Sequence, residues 1–190
     1  MKAPFMLAAV LAAAFSTASV KAQMAMADNT TIVGGEAMYP KKDIISNAVN
    51  SKEHTTLVAA VKAAGLVETL QGKGPFTVFA PVNDAFENLP EGAVESLLKP
   101  ENKNKLAGIL TYHVLPGKYD YNALAKMIKD GKGKTMVKTV AGGSLTFMMN
   151  GDHNIVVGDE NGKWATINTY DVMQSNGVIH SIDAVLLPKM

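Results

Sequence analysis

Residues 77–90 read TVFAPVNDAFENLP, and this stretch decides where a strand gives way to a helix. An apolar segment stops at Pro81, and the polar pair Asn83-Asp84 follows at a tight corner between Phe79 and Phe86. Three interpretations are open for the pair: a set of metal ligands, a catalytic pair, or the turn from a strand into a helix. We expect Phe79 and Phe86 to be buried on the two sides of that corner.

The rest of the chain divides into a helical half and a strand half. Apolar residues recur with a helical period before and after the predicted strand at 76–80, and a turn is predicted at 113–117. Five strand-like segments follow Lys132, separated by Gly-Gly or Asn-Gly turns. Helices followed by a strand meander indicate an α+β domain. The predicted helices are 43–49, 55–70, 83–98, 103–112 and 121–128, and the predicted strands are 76–80, 136–140, 144–148, 154–157, 164–170 and 177–187.

The amino-terminal segment has the pattern of an export signal. Lys2 precedes an apolar run at 5–15, and small residues follow. Residues 1–27 are therefore predicted to contain a signal peptide, cleaved after Ala22 or Ala27, and the start of an arm. The apolar run is shorter than the ~20 residues of a membrane span. We predict a periplasmic or extracellular protein with an irregular arm at 28–40 and a single domain at 41–188.

Composition excludes several classes of function. The chain has no Cys, which excludes disulfides and thiolate metal sites. All 18 basic residues are Lys, and loss of the predicted signal would leave 16 of them against 17 acids. A near-neutral chain without Arg is a poor match to nucleic acid, which is bound through basic surfaces and bidentate Arg contacts.

Two short motifs resemble ligand loops but have better structural explanations. The segment 131–135, GKGKT, lacks the first glycine of a phosphate loop, since Ile128 stands at that position. The segments 152–154 and 159–162 contain acidic residues, but Val156 and Lys163 fall where calcium ligands belong. We expect a lysine-rich loop and two hairpin turns, with no bound cofactor or metal.

No catalytic arrangement is evident among the remaining polar residues. The four histidines (His54, His113, His153 and His180) form no local zinc motif, and the chain has no Cys and no nucleophile elbow. His113 and His180 lie in apolar surroundings and are expected to be buried with hydrogen-bond partners. The sequence predicts a protein that is not an enzyme.

Three segments together resemble the fasciclin domain family. The stretch 77–90 is similar to the first homology box of that family, and GVIHSIDAVLLP at 177–188 is similar to the second. LTYHVLPG at 110–117 resembles the tyrosine-histidine motif that lies between them. The order and spacing of the three segments extend the resemblance over 41–188, and the export signal is typical of secreted, single-domain bacterial members.

The resemblance implies a fold and a class of function. The fold would be a wedge of mostly antiparallel strands with several helices packed on one side. The function would be adhesion or protein interaction outside the cytoplasm, with a surface or matrix protein or polymer as the partner. Carried over from the family, the partner-binding residues would be Tyr112 and His113 with their apolar neighbours Leu110, Val114 and Leu115. The structural motif residues would be Phe79, Pro81, Asn83, Asp84, Phe86, Asn176, Gly177, His180 and Asp183.

One departure from the family concerns the opening corner. The family usually has Thr or Ser where this chain has Val82, which has no hydroxyl to cap the next helix. The cap is therefore predicted to fall to Asn83 or Asp84, and Asp84 has capping-box spacing to Glu87.

An alternative function is an extracytoplasmic carrier of an apolar small ligand such as a carotenoid, which some fasciclin-domain proteins bind. Methionine side chains adapt to irregular ligands, and they also fill cores. The candidate residues for this role are Met127, Met136, Phe147, Met148 and Met149.

Overall fold

The computed structural model describes residues 30–189, which form nine strands, seven α-helices and a short 3-10 helix at Pro100–Asn102. The strands are β1 Thr31–Val33, β2 Glu36–Met38, β3 Phe76–Pro81, β4 Val114–Pro116, β5 Lys134–Lys138, β6 Ser144–Asn150, β7 Asn154–Gly158, β8 Trp164–Gln174 and β9 Gly177–Ile182. The helices are α1 Ile44–Ala48, α2 Thr55–Ala64, α3 Val67–Leu70, α4 Asn83–Glu87, α5 Ala93–Leu97, α6 Lys103–Tyr112 and α7 Tyr121–Asp130. The predicted signal at 1–27 lies outside the described residues.

The main sheet has seven strands in the order β4-β3-β9-β8-β7-β6-β5. All neighbours are antiparallel except β3 and β9, which are parallel with Phe76 opposite Gly177. The backbone N–H of Val140, just after β5, donates to the carbonyl of Val114 in β4 at 2.8 Å. This bond brings the two ends of the sheet together, so the sheet curves into a barrel-like wedge. The α+β prediction is confirmed.

The β3–β9 pair separates two apolar clusters. Side chains alternate across a strand, so Val78 and Ala80 face one cluster while Phe79, between them, enters the other. The first cluster lies against α2, α4 and α6, and the second fills the inside of the curved sheet with Leu124 and Ile128 of α7. Burial on both faces explains why all six residues of β9 are buried.

Two predictions of irregular structure were wrong. The arm predicted at 28–40 contains the β1–β2 hairpin, in which Thr31 pairs with Met38 across a turn at Gly34 and Gly35, both with positive φ. The turn predicted at 113–117 contains β4, which pairs with β3. Strands of three residues are too short to show a periodic pattern. β1 and β2 pair with each other across their turn, whereas β4 is stabilised by pairing with β3, a strand distant in sequence. In the opposite direction, the strand predicted at 177–187 ends at Ile182.

The opening corner turns a strand into a helix, but its polar residues have other roles than predicted. Helix α4 begins at Asn83 and its N-cap residue is Val82, without a side-chain cap. The Asn83 Oδ1 instead accepts from the Thr56 N–H at 3.1 Å, and its Nδ2 donates to the Lys52 carbonyl at 2.8 Å. Asn83 therefore caps α2, a helix 27 residues earlier in the chain. Asp84 is exposed in the first turn of α4.

The two corner residues are expected to differ in their effect on stability. Replacing Asn83 by Ala removes the cap of α2 and should lower the free energy of unfolding by about 1–2 kcal/mol. Asp84→Ala removes only a favourable interaction with the α4 dipole, worth about 0.3–1 kcal/mol at an exposed site. Urea unfolding of both variants checks this, and a larger loss for Asp84→Ala would contradict the assignment of the cap.

Phe79 and Phe86 are both buried, as predicted, and they belong to different apolar clusters. Phe79 is fully buried in the second cluster, where its ring centroid lies 5.3 Å from that of Phe147. Phe86 belongs to the first cluster with Ala85. Pro81 ends β3 opposite Ile182, after which the Val82 N–H donates to the Ile182 carbonyl at 3.1 Å. The corner is thus built by packing on both faces of the sheet.

Candidate functional site

The five residues predicted to contact a partner are all buried. Leu110 and Tyr112 belong to the inner face of α6, His113 links α6 to β4, and Val114 and Leu115 begin β4. None of the five is more than 6% exposed. The prediction of direct contact therefore requires correction, because these side chains form the junction between α6 and the sheet.

Tyr112 closes one end of the second cluster. Its hydroxyl donates to the Ser144 carbonyl at 2.9 Å and accepts from the Glu160 N–H at 3.2 Å. Its ring lies so close to Gly143 that a Cβ there would be 2.7 Å from the Tyr112 Cε2. Burial raises the pKa of Tyr112 to about 12. The phenol is therefore neutral at physiological pH and joins α6 to two hairpins.

His113 is held in one neutral tautomer by two backbone groups. The Leu186 N–H donates to its Nε2 at 3.0 Å, so the ring proton resides on Nδ1, which donates to the Ile109 carbonyl at 2.8 Å. Burial lowers the pKa of His113 to about 4 because the charged ring would lose its hydration. Both ring nitrogens are occupied, so His113 connects the end of α6 to the carboxyl-terminal segment.

His180 has the same kind of environment in β9. Its Nδ1 accepts from the Asp171 N–H at 3.3 Å and its Nε2 donates to the Tyr119 carbonyl at 2.8 Å. The ring also stacks on Phe79 with centroids 5.4 Å apart. Burial lowers its pKa. The expectation that His113 and His180 are buried and hydrogen-bonded is confirmed.

Asn176, just before the second homology box, and Asp183, within it, make structural contacts. The Asn176 Oδ1 accepts from the Ile44 N–H at 3.0 Å, and its Nδ2 donates to the Leu70 carbonyl at 2.8 Å and to the Gly72 carbonyl at 3.0 Å. Asn176 thus joins α1 to the end of α3. The Asp183 carboxylate accepts from the Thr166 N–H at 2.7 Å and fixes the end of β9 on β8.

The candidate metal loops form turns. The Asp159 Oδ1 accepts from the N–H groups of Asn161 and Lys163, and its Oδ2 accepts from the Leu187 N–H at 3.0 Å. Within residues 30–189 there is no group of three or more His, Asp or Glu side chains arranged to hold a metal ion. The GKGKT segment is the turn between α7 and β5, as predicted.

His54 was overlooked in the sequence as a member of a polar cluster. Its Nδ1 lies 2.9 Å from the Ser51 Oγ and its Nε2 lies 3.3 Å from the Ser181 Oγ. Burial lowers the pKa of His54. The spacing of Ser51 and His54 is a local signal, but Ser181 is 127 residues away, and only the fold brings it near.

The predicted ligand-binding methionines are not gathered in one pocket. Phe147 is fully buried in the second cluster, with the partly buried Met149 packed against it. Met136 and Met148 lie on the opposite side of the sheet, where Met136 is 60% exposed, and Met127 is half-buried on α7. Alternation along β6 separates Phe147 from Met148, so the five residues do not line a common cavity.

The side of the β5–β8 meander opposite the second cluster is open to solvent, and we call it the outer face. Trp164 lies across Gly158, where a Cβ would be 2.9 Å from the indole Cε3, and it remains 43% exposed. Strand pairing places Thr146 and then Met136 beside Gly158 in the same row. The outer face comprises Lys134, Met136, Lys138, Thr146, Met148, Val156, Trp164 and Thr166.

A second candidate site is an apolar cleft among α1, α2, α3 and the β3–β9 pair. Its cavity volume is about 80 Å³. Val49 and Val58 lie on the solvent-accessible side of the cleft. Among the described residues that line the cleft, Lys62 is the one with a charged side chain. The deeper lining includes Ile44, Ile45, Leu57, Val61, Leu70, Val78, Leu110 and Ile179, together with the polar residues Ser51, His54, His113 and Ser181.

Comparison with known proteins defines first the fold and then the family. The fold is similar to that of a FAS1 domain pair from the insect cell adhesion molecule Fasciclin I, with a TM-score of 0.69 and 20% identity, over 78% of this chain and 52% of that one. The sequence model of the Fasciclin domain matches residues 52–188, and the chain belongs to that family. The resemblance noted in the sequence is thereby confirmed.

Two relatives illustrate the range of the family. The chain is 47% identical over 169 residues to Protein sll1483 of a Synechocystis strain, covering 89% of this chain and 86% of that protein. It is 35% identical over 132 residues to the Transforming growth factor-beta-induced protein ig-h3 of Sus scrofa, covering 70% of this chain but 17% of that protein. The domain thus matches most of a bacterial relative and one part of a much longer animal protein.

Proposed function

We propose that this chain is an exported, non-catalytic adhesion module that docks on a protein or polymer at the cell envelope, the matrix or a host surface. Membership of the Fasciclin domain family supports the proposal, as does the fold shared with an insect cell adhesion molecule. The low polarity of the amino-terminal segment supports export. No helix of residues 30–189 has the length and apolar character needed to cross a membrane.

The outer face is the observation that carries this proposal. Trp164 and Met136 expose 43% and 60% of their surface in one row of the sheet, and aromatic and methionine side chains are enriched in interface cores. Lys134 and Lys138 flank Met136 on the edge strand β5, and neither forms an ion pair within the described residues. The arrangement fits a partner with an apolar centre and acidic groups around it.

The buried polar residues support a role without catalysis. His113, His180 and Asn176 have their side-chain groups engaged by backbone atoms. A general acid or base must reach a substrate, and these groups are closed off from one. Asp84 is exposed in the first turn of α4.

The proposal predicts that changes on the outer face weaken docking strongly without unfolding the domain. The double variant Trp164→Ser/Met136→Ser should bind its envelope or matrix partner at least about thirtyfold more weakly than the unchanged protein, since loss of an aromatic hot spot costs about 2 kcal/mol or more. The matched control is Ile32→Ser, which removes a 55% exposed apolar side chain from β1. Equal retention by the double variant and the control, at equal melting temperature, would contradict the proposal.

A second candidate function is transport of a small apolar ligand, and the apolar cleft favours it. The cleft replaces the methionine set as the basis for this function. Its volume of about 80 Å³ is about half of the ~150 Å³ that accommodates benzene in a buried cavity. A carotenoid would therefore require the cleft to open widely, whereas a narrower apolar group is a better fit.

A further inference from the structure

We propose that the apolar cleft binds the chain of an aliphatic carboxylate, with the hydrocarbon between α1 and α2 and the carboxylate at Lys62. This inference rests on the second candidate function and specifies its ligand class. It is independent of docking through the outer face, because no residue of the outer face lines the cleft.

The wall of the cleft favours a hydrocarbon over a polar ligand. Its polar residues already have partners: His54 contacts the hydroxyls of Ser51 and Ser181, and both nitrogens of His113 are bonded to backbone groups. A polar ligand group placed there would lose its hydration without gaining a hydrogen bond, which costs free energy. The remaining wall is aliphatic and would stabilise a ligand through burial of apolar surface.

The size of the cleft favours a narrow chain over a ring system. At about 80 Å³ it is smaller than a cavity that takes a single benzene ring, about 150 Å³. An unbranched chain can enter by its methyl end and leave its remaining carbons along the rim. Val49 is 47% exposed at that rim, and Val58 is half-buried there. A bound chain would cover both side chains.

The charge at the rim selects the head group. Lys62 lies in the last turn of α2, exposed to solvent, and is the charged side chain among the described lining residues. It makes no ion pair within residues 30–189. An ammonium beside an apolar opening is complementary to a carboxylate at the end of a hydrocarbon chain, and it repels a cationic head group.

Calorimetric titration of the protein with sodium octanoate tests the inference. We expect saturable binding at one site, and affinity that rises about fourfold per methylene from butanoate upward until the cleft is filled. Octyltrimethylammonium has the same chain with the opposite charge and should bind about tenfold more weakly at low salt. Absence of saturable octanoate binding, or equal affinity for the two head groups, would overturn the inference.

Two rim variants locate the site. Val58→Trp places an indole at the opening and should abolish octanoate binding, while Lys62→Glu should weaken it about tenfold and reverse the preference between the two head groups. The matched control for Lys62→Glu is Lys105→Glu, an exposed lysine on α6 that does not line the cleft. Unchanged binding in Val58→Trp, or equal effects of the two lysine changes, would refute the placement.

Two further titrations distinguish this inference from the carrier function on which it rests and from docking through the outer face. Octan-1-ol carries the same chain without charge. Binding of octan-1-ol with no preference for octanoate would overturn the carboxylate ligand but leave the carrier function, whereas failure of both would overturn both. The outer-face double variant Trp164→Ser/Met136→Ser should bind octanoate as the unchanged protein does, and a loss there would place the ligand on the outer face instead.

Discussion

Gly177→Ala is expected to prevent stable folding. Gly177 faces Phe76 across the parallel β3–β9 pair, and a Cβ on it would lie 2.1 Å from the Phe76 carbonyl oxygen and 2.9 Å from its carbonyl carbon. The obstacle is backbone at the start of the parallel pair, and its position is fixed further by the hydrogen bond from the Phe76 N–H to the Asn176 carbonyl at 3.0 Å. Relief would require the first residues of β3 and β9 to move apart.

Gly177→Ala is expected to lower the free energy of unfolding by about 3 kcal/mol or more, at the upper end of the range for overpacked sites. Soluble yield and urea unfolding measure it. Gly108→Ala is the matched control, because Gly108 lies within α6 with no atom near its missing Cβ, and the change should stabilise the helix by about 0.5–1 kcal/mol. If Gly177→Ala lowered the free energy of unfolding by less than about 1 kcal/mol, β3 and β9 could move apart to accommodate the added Cβ at little cost, which would contradict the prediction.

Stability is expected to fall steeply on mild acidification. Burial holds the pKa of His113 at about 4, below its ordinary value of 6.5, and lowers the pKa of His54 and His180 as well. A base with a lowered folded pKa binds fewer protons in the folded state. Its contribution is therefore complete above pH ~6.5 and is lost as the pH falls from there toward the folded value.

For His113 alone, the free energy of unfolding should fall by about 3 kcal/mol between neutral pH and pH 4. The figure follows from the lowering of the pKa from 6.5 to about 4, at about 1.36 kcal/mol per pKa unit. His54 and His180 act in the same direction. The measurement is the free energy of unfolding in urea at pH 7.5, 6.5, 5.5 and 5.0, a window in which ordinary carboxylates, with pKa values of about 4, stay charged. Constant stability from pH 7.5 to 5.0 would contradict the neutral, buried state of these rings.

Much of the fold could be predicted because its signals are local. The Asn-Gly and Gly-Gly turns separate the strands of the meander, and apolar periodicity marks the longer helices. Predictions from these signals agree with the structure because tertiary packing does not override the local backbone preferences on which they depend. The three-residue strands β1, β2 and β4 were missed because they are too short to show an alternating pattern, and β4 depends in addition on pairing with β3, which lies far from it in sequence.

The candidate site could be predicted less well, since exposure depends on the whole fold. The sequence places Tyr112 and His113 at the end of a helix but does not show which side the following strand covers. In the structure β4 pairs with β3, and the carboxyl-terminal segment supplies the Leu186 N–H to His113. Trp164 and Met136 were overlooked as a surface because their proximity arises only from the register across β5 to β8.

For residues 77–90, the sequence by itself determined the strand, the end of that strand at Pro81 and the helix after it, because these follow from local backbone preference. Only the tertiary structure decided what the polar pair does. Asn83 caps a helix that begins at Thr55, and Asp84 is left in solvent. The physical reason is that a hydrogen-bond acceptor satisfies whichever buried donor the fold brings within about 3 Å, wherever that donor lies in the chain.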